Sequence, residues 1–304
     1  MISVIIPNYN GEESLKNNLP RVVSALGKYN YEVMVVDDGS LDQSIKIVEN
    51  LAKENKRLRL LQNEKNIGFP GTVNRGVNHA RGEVLVLLNS DVYPKANFLD
   101  AALVDLKEKQ VFGVGMKDES IEDGKTIMRG RGIGEWKKGF LVHAAGSLDK
   151  SDNLWASGGS SVFNKNIWEK LGGLDELYAP FYWEDIDISY RARKAGYKVL
   201  FEKESVVVHE HEKGAIRKMF TKTQVKRIAY TNQFIFVWKN ASALLVLSNI
   251  VWLPYHMLKS ILSLDLSFII GFLSFLMLLP KVLVSRWRVA KLFKLKDSQV
   301  IIKE

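Results

Sequence analysis

Short apolar runs that lead into acidic residues are the feature that most constrains the fold of this chain. The run Val84–Leu88 has five apolar residues and reaches Asp91 after two polar residues, and Val33–Val36 is followed directly by Asp37 and Asp38. Such runs are typical of strands that are buried on both faces of a parallel sheet. Because open α/β sheets bind ligands beyond the carboxyl ends of their strands, these acids are predicted to lie at a ligand-binding edge.

The first 112 residues alternate between strand-like and helix-like segments. Strands are predicted at residues 3–6, 33–36, 58–62 and 83–88, and helices at residues 12–29, 41–55, 71–80 and 97–108, with Ser40 as the N-cap of the second helix. This alternation indicates an α/β domain with a mostly parallel, doubly wound sheet.

The middle of the chain has a different character. Gly130, Gly132, Gly134 and Gly139 interrupt the periodicity, so residues 113–160 are predicted to form a long substrate-facing segment or an ordinary connecting loop. Regular structure is predicted to return with strands at residues 161–163 and 199–201 and helices at residues 165–171 and 188–195.

The last third of the chain is both basic and apolar. Residues 213–304 contain 15 Lys and Arg against 3 Asp and Glu, whereas residues 1–212 contain 28 against 31. Its apolar stretches, on either side of Lys259, approach the ~20 residues that span a bilayer. This combination favours an anionic membrane surface over nucleic acid, for which no binding module is recognisable.

Two regions are therefore predicted. Residues 1–212 form the α/β domain, and residues 213–304 form a helical tail that is embedded in a membrane or lies on it. The alternative is that the tail helices are core helices or form the contact of a homo-oligomer, since their many apolar side chains would have to be buried away from water. Residues 2–6 form a strand instead of a secretory signal, so the site is expected on the cytoplasmic side of the cell membrane.

Several chemistries lose support from what the sequence lacks. The first strand is followed by Pro7-Asn8-Tyr9-Asn10 and no glycine-rich phosphate loop is present, which argues against dinucleotide oxidoreductases and P-loop enzymes. The chain has no cysteine, so a metal would need carboxylate or imidazole ligands. A divalent cation on Asp91 would neutralise the phosphates of a bound nucleotide.

Three further segments have two interpretations each. Asp37 and Asp38 are able to bind a nucleoside or to form an ordinary turn and cap. The glycine- and asparagine-rich segment 66–76 begins a helix whose N–H groups favour an anion, although many helices begin in this way. His209 and His211 follow an apolar strand and are either metal ligands beside Asp91 or structural residues.

The acids of Trp183-Glu184-Asp185-Ile186-Asp187 are the strongest candidates for a general base. Acids in a first helical turn are stabilised by the helix dipole, which is the structural interpretation. The aromatic residues before them would desolvate a carboxylate and raise its pKa, which suits a base. Asp185 is the preferred base and Glu184 the second choice.

Taken in order, these segments resemble glycosyltransferase family 2, the inverting nucleotide-sugar transferases with the GT-A fold. The resemblance covers roughly residues 2–212 and is carried by the following segments: Val4–Asn10, Val35–Ser40, Asn66–Phe69, Asn74–Gly76, Leu87–Asp91, Gly158–Ser161, Gly172–Glu176, Trp183–Asp187 and His209. It implies a GT-A nucleotide-diphospho-sugar transferase domain over residues 1–212.

The resemblance also implies a role for each matching residue. Asp185 matches the catalytic base, with Glu184 beside it, and Asp91 matches the last acid of the metal motif, which holds Mg²⁺ or Mn²⁺. His209 matches a position that in some members ligands the metal or contacts the diphosphate. Asn89 stands where many members have Asp, and this removes one charge from the metal site. An Asn at this position is familiar in rhamnosyltransferase-like members. The implied donor-binding residues are Pro7, Asn8, Asp37, Asp38, Asn66, Gly68, Asn74, Asn89 and Ser90.

The function that the resemblance implies is inverting transfer of a sugar from a nucleoside-diphosphate sugar to a lipid-linked sugar or growing polysaccharide. A sugar-phosphate nucleotidylyltransferase is a weaker alternative, because residues 8–13 contain no Lys or Arg. The remaining alternative is a non-catalytic, membrane-associated scaffold that binds a nucleotide-sugar.

Overall fold

The computed structural model describes residues 1–122, 124–210 and 219–304. A nine-stranded sheet runs through this part of the chain in the order β3-β2-β1-β4-β10-β6-β11-β5, with β7 paired to β6, and β8 and β9 form a separate two-stranded sheet. The strands are β1 (Ile2–Asn8), β2 (Tyr31–Asp37), β3 (Leu58–Gln62), β4 (Val84–Leu88), β5 (Val92–Pro94), β6 (Val111–Glu122), β7 (Lys125–Arg129), β8 (Gly132–Lys137), β9 (Phe140–Ala145), β10 (Ser160–Asn164) and β11 (Lys198–Glu210).

The helices of the α/β region cover both faces of the large sheet. They are α1 (Glu12–Ala25), α2 (Ser44–Glu54), α3 (Gly68–His79), α4 (Asp100–Asp105), α5 (Lys165–Leu171) and α6 (Glu184–Lys194), with a 3-10 turn at Glu176–Tyr178. One core lies between the sheet and α1, α2 and α4, and a second lies between the sheet and α3, α5 and α6.

The sheet is mixed. Strands β3, β2, β1 and β4 are parallel and place Asn8 beside Asp37 at their carboxyl ends. Strand β10 is antiparallel to both β4 and β6, whereas β11 runs parallel to β6. The parallel half carries the predicted acidic edge, and β10 joins it to the second half.

Several sequence predictions are wrong in their details. Residues 113–160 contain most of β6 and all of β7, β8 and β9 instead of a long loop. Gly132 and Gly134 lie within β8, where the side chains of Trp155 and Leu154 approach the backbone closely, and Gly130 and Gly139 lie in the connections on either side of it. The helix predicted at residues 97–108 is limited to Asp100–Asp105, and α6 begins four residues before the predicted start at residue 188. Ser40 does not cap α2, because the N-cap residue is Gln43 and Ser40 bonds to Asp37.

The C-terminal helices pack on the α/β region. They are α7 (Lys222–Asn240), α8 (Ala243–Leu262), α9 (Ser267–Ala290) and α10 (Asp297–Val300). Phe234 and Phe236 of α7 share one core with Trp183 and Tyr190 of α6, and the rings of Trp183 and Phe236 are 5.1 Å apart. The predicted boundary at residues 212 and 213 lies outside the described residues, as does His211.

A buried ionic network joins α6 to α7. Lys239 Nζ lies 2.9 Å from Asp187 Oδ2 and 2.7 Å from Asp175 Oδ2. Asp187 also accepts hydrogen bonds from Arg191, Tyr178 and Asn240, so both carboxylate oxygens are satisfied. A buried carboxylate without a partner would destabilise the fold. Asp187 avoids this because Lys239 and Asn240 of the C-terminal helices bind it together with Arg191 and Tyr178 of the α/β region.

Candidate active site

The carboxyl ends of β1 and β2 form a satisfied polar cluster. Asp37 is fully buried, and its carboxylate accepts hydrogen bonds from Asn8 Nδ2 at 2.9 Å, Ser40 N–H at 2.8 Å and the Ser40 hydroxyl at 2.6 Å. Pro7 precedes this cluster in β1, opposite Val36. Within the described residues, Asn8 Oδ1 is buried without a hydrogen-bond donor, so this amide oxygen is available to a ligand N–H.

Asp38 holds the start of α3. Its Oδ1 accepts from Asn63 Nδ2 at 2.7 Å and Ile67 N–H at 2.9 Å, and its Oδ2 accepts from Gly68 N–H at 3.0 Å. Gly68 has a φ of +82°, which favours glycine. Asn66 Oδ1 also accepts from Gly68 N–H, at 3.1 Å. The Asp38 carboxylate thus accepts three hydrogen bonds from protein groups. Its predicted contact with the sugar donor stays a prediction.

Asn74 connects α3 to the segment before α6. Its Nδ2 donates to the Leu174 carbonyl at 2.8 Å and its Oδ1 accepts from Leu174 N–H at 3.0 Å. Both ends of the amide are therefore engaged with one backbone residue. This geometry explains why asparagine is suited to the position, and contact with the donor stays a prediction.

The two candidate bases begin α6 after a strained turn. Tyr182 and Trp183 have φ values of +75° and +76°, a conformation that is costly for bulky side chains. Asn232 of α7 holds this turn, since its Nδ2 lies 2.9 Å from each of the carbonyls of Phe181 and Tyr182. The strain is maintained by a residue of the C-terminal helices.

The carboxylates of this turn differ in their surroundings. Asp185 is partly exposed and accepts from Gly158 N–H at 3.2 Å and Ile186 N–H at 2.8 Å. Glu184 is buried, and its Oε2 has no hydrogen-bond partner within the described residues. Burial raises the pKa of Asp185, and burial together with the Asp185 charge raises the pKa of Glu184 well above its usual range. Asp185 is thus the accessible carboxylate of the pair.

Gly158 and Gly159 connect α6 to the end of β4. Gly158 N–H donates to Asp185, and Gly159 C=O accepts from Asn89 N–H at 3.0 Å. A Cβ at Gly159 would lie 2.5 Å from Asn89 Nδ2, so a side chain there would displace Asn89. These two glycines bring Asp185, the predicted base, close to the Asn89-Ser90-Asp91 segment.

Asp91 lies beside His209, because it directly precedes β5 and β5 is paired with β11. His209 Nε2 lies 3.3 Å from Asp91 Oδ1, and His209 Nδ1 lies 3.1 Å from Asp118 Oδ2. Asp118 Oδ1 accepts from the Ser120 hydroxyl at 2.8 Å. Burial opposes the charge on the imidazole, but hydrogen bonds to Asp118 and Asp91 outweigh it and raise the pKa of His209 to about 9.

This arrangement fits a divalent cation in part. Ligand atoms around Mg²⁺ lie about 3 Å apart, because each is about 2.1 Å from the ion, and the Asp91–His209 separation is close to that. A ligating histidine generally donates its other N–H to a carboxylate, the position that Asp118 occupies. Within residues 1–122, 124–210 and 219–304, no three acidic or histidine side chains form a complete site, so phosphate oxygens would have to supply further ligands.

Comparison with known proteins identifies the family. The profile of the family described as Glycosyl transferase family 2 matches residues 3–171, more than half of the chain. The chain belongs to glycosyltransferase family 2. The matched region contains Asp37, Asp91 and Gly158, and it ends before Asp185.

Curated members of the family are similar over part of their length. The chain is 24% identical to glycosyltransferase AglD of Haloferax volcanii over 205 residues. The aligned region covers 65% of this chain and 32% of AglD. It is 29% identical over 116 residues to dolichol-phosphate mannosyltransferase of Pyrococcus furiosus, which is 38% of this chain and 33% of that protein. The matches thus span about a third of the length of these relatives.

A solved structural neighbour confirms the GT-A fold. The mannosyltransferase PcManGT of Pyrobaculum calidifontis, solved with GDP-Man and Mn²⁺, superposes with a TM-score of 0.56 at 16% identity. The alignment covers 96% of this chain and 81% of that chain, so it includes the C-terminal helices. The predicted fold class, an α/β GT-A fold with a C-terminal helical region, is therefore confirmed.

Sequence reasoning missed two residues of the site. Asp118 lies within β6, in a segment that was expected to be a loop, and its bond to His209 depends on the pairing of β6 with β11. Asn232 lies 50 residues after Tyr182, and no local pattern links them. Asn232 lies between Thr231 and Gln233, just before the apolar run 234–238, so the sequence around it gives no signal of this role.

Proposed function

We propose that this protein is an inverting glycosyltransferase that moves a hexosyl or deoxyhexosyl group from a nucleoside-diphosphate sugar to a lipid-linked sugar or polysaccharide at the cytoplasmic membrane face. The observation that carries this proposal is the connection of Asp185, through Gly158 and Gly159, to the Asn89–Asp91 segment. It places an accessible carboxylate beside the residues that the family resemblance assigns to the diphosphate.

The proposed chemistry is a single displacement. Asp185 accepts the proton of an acceptor hydroxyl, whose oxygen forms a bond to the anomeric carbon as the bond to the diphosphate breaks. The nucleoside diphosphate leaves from the opposite face, which inverts the anomeric configuration. Burial supports this role because it raises the pKa of Asp185 and makes it a stronger base than an exposed aspartate.

Glu184 has a different proposed task. Its buried Oε2 lacks a partner within the described residues, and its raised pKa favours the protonated form. Asp187, in the same turn, is buried and paired with Lys239 and Arg191, so a neutral Glu184 leaves Asp185 as the accessible carboxylate at the start of α6. The acceptor hydroxyl therefore meets one defined base.

Asp91 and His209 are the residues that would hold Mg²⁺ or Mn²⁺, with Asp118 orienting the imidazole. When bound, the cation stabilises the charge that develops on the departing diphosphate. Asn89 and Ser90 directly precede Asp91, and Asn89 contributes an amide in place of a second carboxylate.

The donor nucleoside is proposed to lie along the ends of β1 and β2. Asn8 supports this location because its buried Oδ1 has an unused acceptor position among the described residues. Pro7, Asp37 and Asp38 belong to the proposed wall there, together with residues near α3. Asn66 precedes this helix, Gly68 begins it and Asn74 lies in its middle.

The membrane location rests on composition and on relatives. Helices α8 and α9 are long and apolar enough to cross a membrane, with mean hydropathy values of 1.2 and 2.2. Relatives include a dolichol-phosphate mannosyltransferase, whose name contains a lipid phosphate. These observations support a lipid-linked acceptor.

The test is a donor screen with purified full-length protein and Mn²⁺, in which release of nucleoside diphosphate is measured with and without acceptor lipids. We expect one donor class to react and Asp185→Asn to lower turnover by about 10²–10⁴-fold. Glu169→Gln, at an exposed acid on α5, is the matched control and should leave turnover unchanged. Unchanged turnover in Asp185→Asn would contradict the proposal, and binding of donors without turnover would favour the scaffold alternative.

A further inference from the structure

We propose that α8 and α9 lie in the plane of one leaflet of an anionic membrane and do not cross it. The inference rests on the membrane association proposed above and adds the mode of attachment. It comes from contacts that fix one face of α8 to the turn between β8 and β9 and one face of α9 to α7 and the 3-10 turn, and that leave the opposite faces apolar and exposed.

Helix α8 is fixed to the turn between β8 and β9. Asn249 Nδ2 donates to the Gly139 carbonyl at 3.0 Å, and His256 Nε2 donates to the Lys138 carbonyl at 2.9 Å. The backbones touch, since a Cβ at Gly139 would lie 2.5 Å from Asn249 Cα. These contacts extend over seven residues, or about 10 Å of helix.

Helix α9 is fixed along most of its length. Gly271 packs against Tyr230 of α7, where a Cβ would lie 2.7 Å from the Tyr230 Cβ. Phe275 stacks on Phe234 with ring centroids 5.4 Å apart, and the Ser285 hydroxyl donates to Asp175 Oδ2 at 2.5 Å. Residues 271 to 285 correspond to about 21 Å of helix, which lies along α7 and the 3-10 turn.

These contacts conflict with a membrane-spanning orientation. A helix of 20 residues that spans a ~30 Å hydrocarbon core places its middle at the bilayer centre. The middle of α8 bonds to the β8–β9 turn, so Lys137, Lys138 and their backbone would enter the hydrocarbon. Charged groups and irregular backbone are strongly disfavoured there.

The opposite faces of both helices are apolar and exposed. Eleven of their large exposed side chains lie along one side of each helix. On α8 these are Leu244, Leu247, Val251, Tyr255, Leu258 and Leu262, and on α9 they are Leu273, Leu276, Met277, Val284 and Trp287. We call these eleven side chains the apolar stripe. Ile250, Trp252 and Ile261 of α8 and Leu283 of α9 are also exposed and widen it.

Cations border the apolar stripe. Residues 243–291 contain five Lys and Arg against one acid, Asp265. Lys138 Nζ lies 4.0 Å from the centre of the Tyr255 ring, and Lys291 Nζ lies 3.5 Å from that of Trp287. Lys281 and Arg288 are exposed and two helical turns apart on α9. Apolar residues with basic and aromatic neighbours match the interface of an anionic leaflet.

The absence of cysteine makes a direct test of depth simple. We would place single cysteines at Leu244, Val251 and Leu258 of the full-length protein, attach an environment-sensitive fluorophore, and measure quenching by lipids with spin labels at known depths in vesicles containing phosphatidylglycerol. An in-plane helix places all three probes at one shallow depth, about 5–10 Å below the phosphates. A spanning helix places the Val251 probe near the bilayer centre and the other two nearer opposite surfaces, which would overturn the proposal.

A fluorophore at Leu41, an exposed residue of the α/β region, is the control that should remain unquenched. Absence of quenching at all three stripe positions would also overturn the proposal, as would oligomerisation that buries the stripe in a second copy. The measurement uses no donor or acceptor, so it is independent of the proposed transfer reaction.

The charge of the leaflet is tested by neutralising two bordering cations. Each cation near an anionic surface contributes about fivefold to binding, so Lys281→Gln with Arg288→Gln should weaken vesicle binding by about 25-fold. The matched control is Lys46→Gln with Lys53→Gln on α2, which removes the same charge far from the apolar stripe and should change binding little. Equal losses in the two double variants would contradict recognition through α9.

Discussion

Lys239→Met tests whether the ionic network between α6 and α7 stabilises the fold. Lys239 is buried and lies within 3 Å of two carboxylates, Asp187 at 2.9 Å and Asp175 at 2.7 Å. Methionine retains much of the volume of the side chain but removes its charge. The variant therefore removes the cation shared by buried Asp187 and partly buried Asp175, while Asp187 keeps its pair with Arg191. Removing one partner of a buried ion pair typically costs about 3–5 kcal/mol.

The expected shift in melting temperature follows from the size of the chain. Unfolding entropy is about 2.1 cal/mol/K per residue, which gives about 0.6 kcal/mol/K for 304 residues. A loss of about 3–5 kcal/mol then lowers the melting temperature by about 5–8 °C. The assay is thermal unfolding in mild detergent, followed by tryptophan fluorescence.

Lys226→Met is the matched control. Lys226 also lies 2.7 Å from a carboxylate, Asp265, but both side chains are exposed. Exposed pairs contribute about 0–1 kcal/mol, so the control should lose less than about 2 °C. Equal shifts in the two variants would refute the claim that burial, and not ion-pair distance, determines the effect.

The pH dependence provides a second check on Lys239→Met. Burial would raise the pKa of Asp175, but Lys239, Ser285 and the Leu177 N–H lower it to about 2. A carboxylate with a lowered folded-state pKa stabilises the fold above its unfolded pKa of about 3.9 and loses this effect as pH falls. The deficit of the variant should therefore be largest above pH ~4 and shrink toward pH ~2. A deficit that grows in acid would contradict the reasoning.

Three further predictions concern the candidate site. Asp118→Asn should weaken Mn²⁺ binding by about 10–100-fold, measured by calorimetry with nucleoside diphosphate present; unchanged affinity would exclude Asp118 as the residue that orients His209. Glu184→Gln should match the wild-type melting temperature near pH ~4 and exceed it at pH ~8, because a carboxyl with a raised folded-state pKa loses stability as pH rises. Gly159→Ala should displace Asn89 and lower turnover without lowering the melting temperature by more than about 2 °C; full turnover would show that Asn89 has room to move.

The sequence was sufficient to predict the parts of the fold that are local. The apolar runs predicted β2 and β4, and the acids after them lie at the expected edge of the sheet. Asp185 was predicted as the base from a continuous motif, and this role stays a prediction. These features depend on residues that are close in sequence, where periodicity and helix-dipole arguments apply.

Features that depend on strand order could not be predicted. The connection from Asp185 to Asn89 exists because β10 lies next to β4, a pairing that brings Gly159 against a residue 70 positions earlier. Glycines at 130, 132 and 134 resemble loop residues in sequence, but they lie at or within strands where the rings of Phe201 and Trp155 and the Leu154 side chain approach the backbone. Lys239 interrupts an apolar stretch and resembled the end of a membrane segment, whereas it is a buried partner of two acids.

The shared network of Asp187 and Lys239 changes how a soluble form of this protein should be designed. Truncation before residue 235 would remove Lys239 and Asn240 from Asp187 and Phe236 from Trp183, which would unfold the turn that carries Asp185, the proposed base. Polar substitutions at the exposed positions Leu244, Leu247 and Val251 would instead reduce detergent dependence without touching a buried contact. Solubility should therefore be engineered residue by residue on the outer surface, with the chain kept at full length.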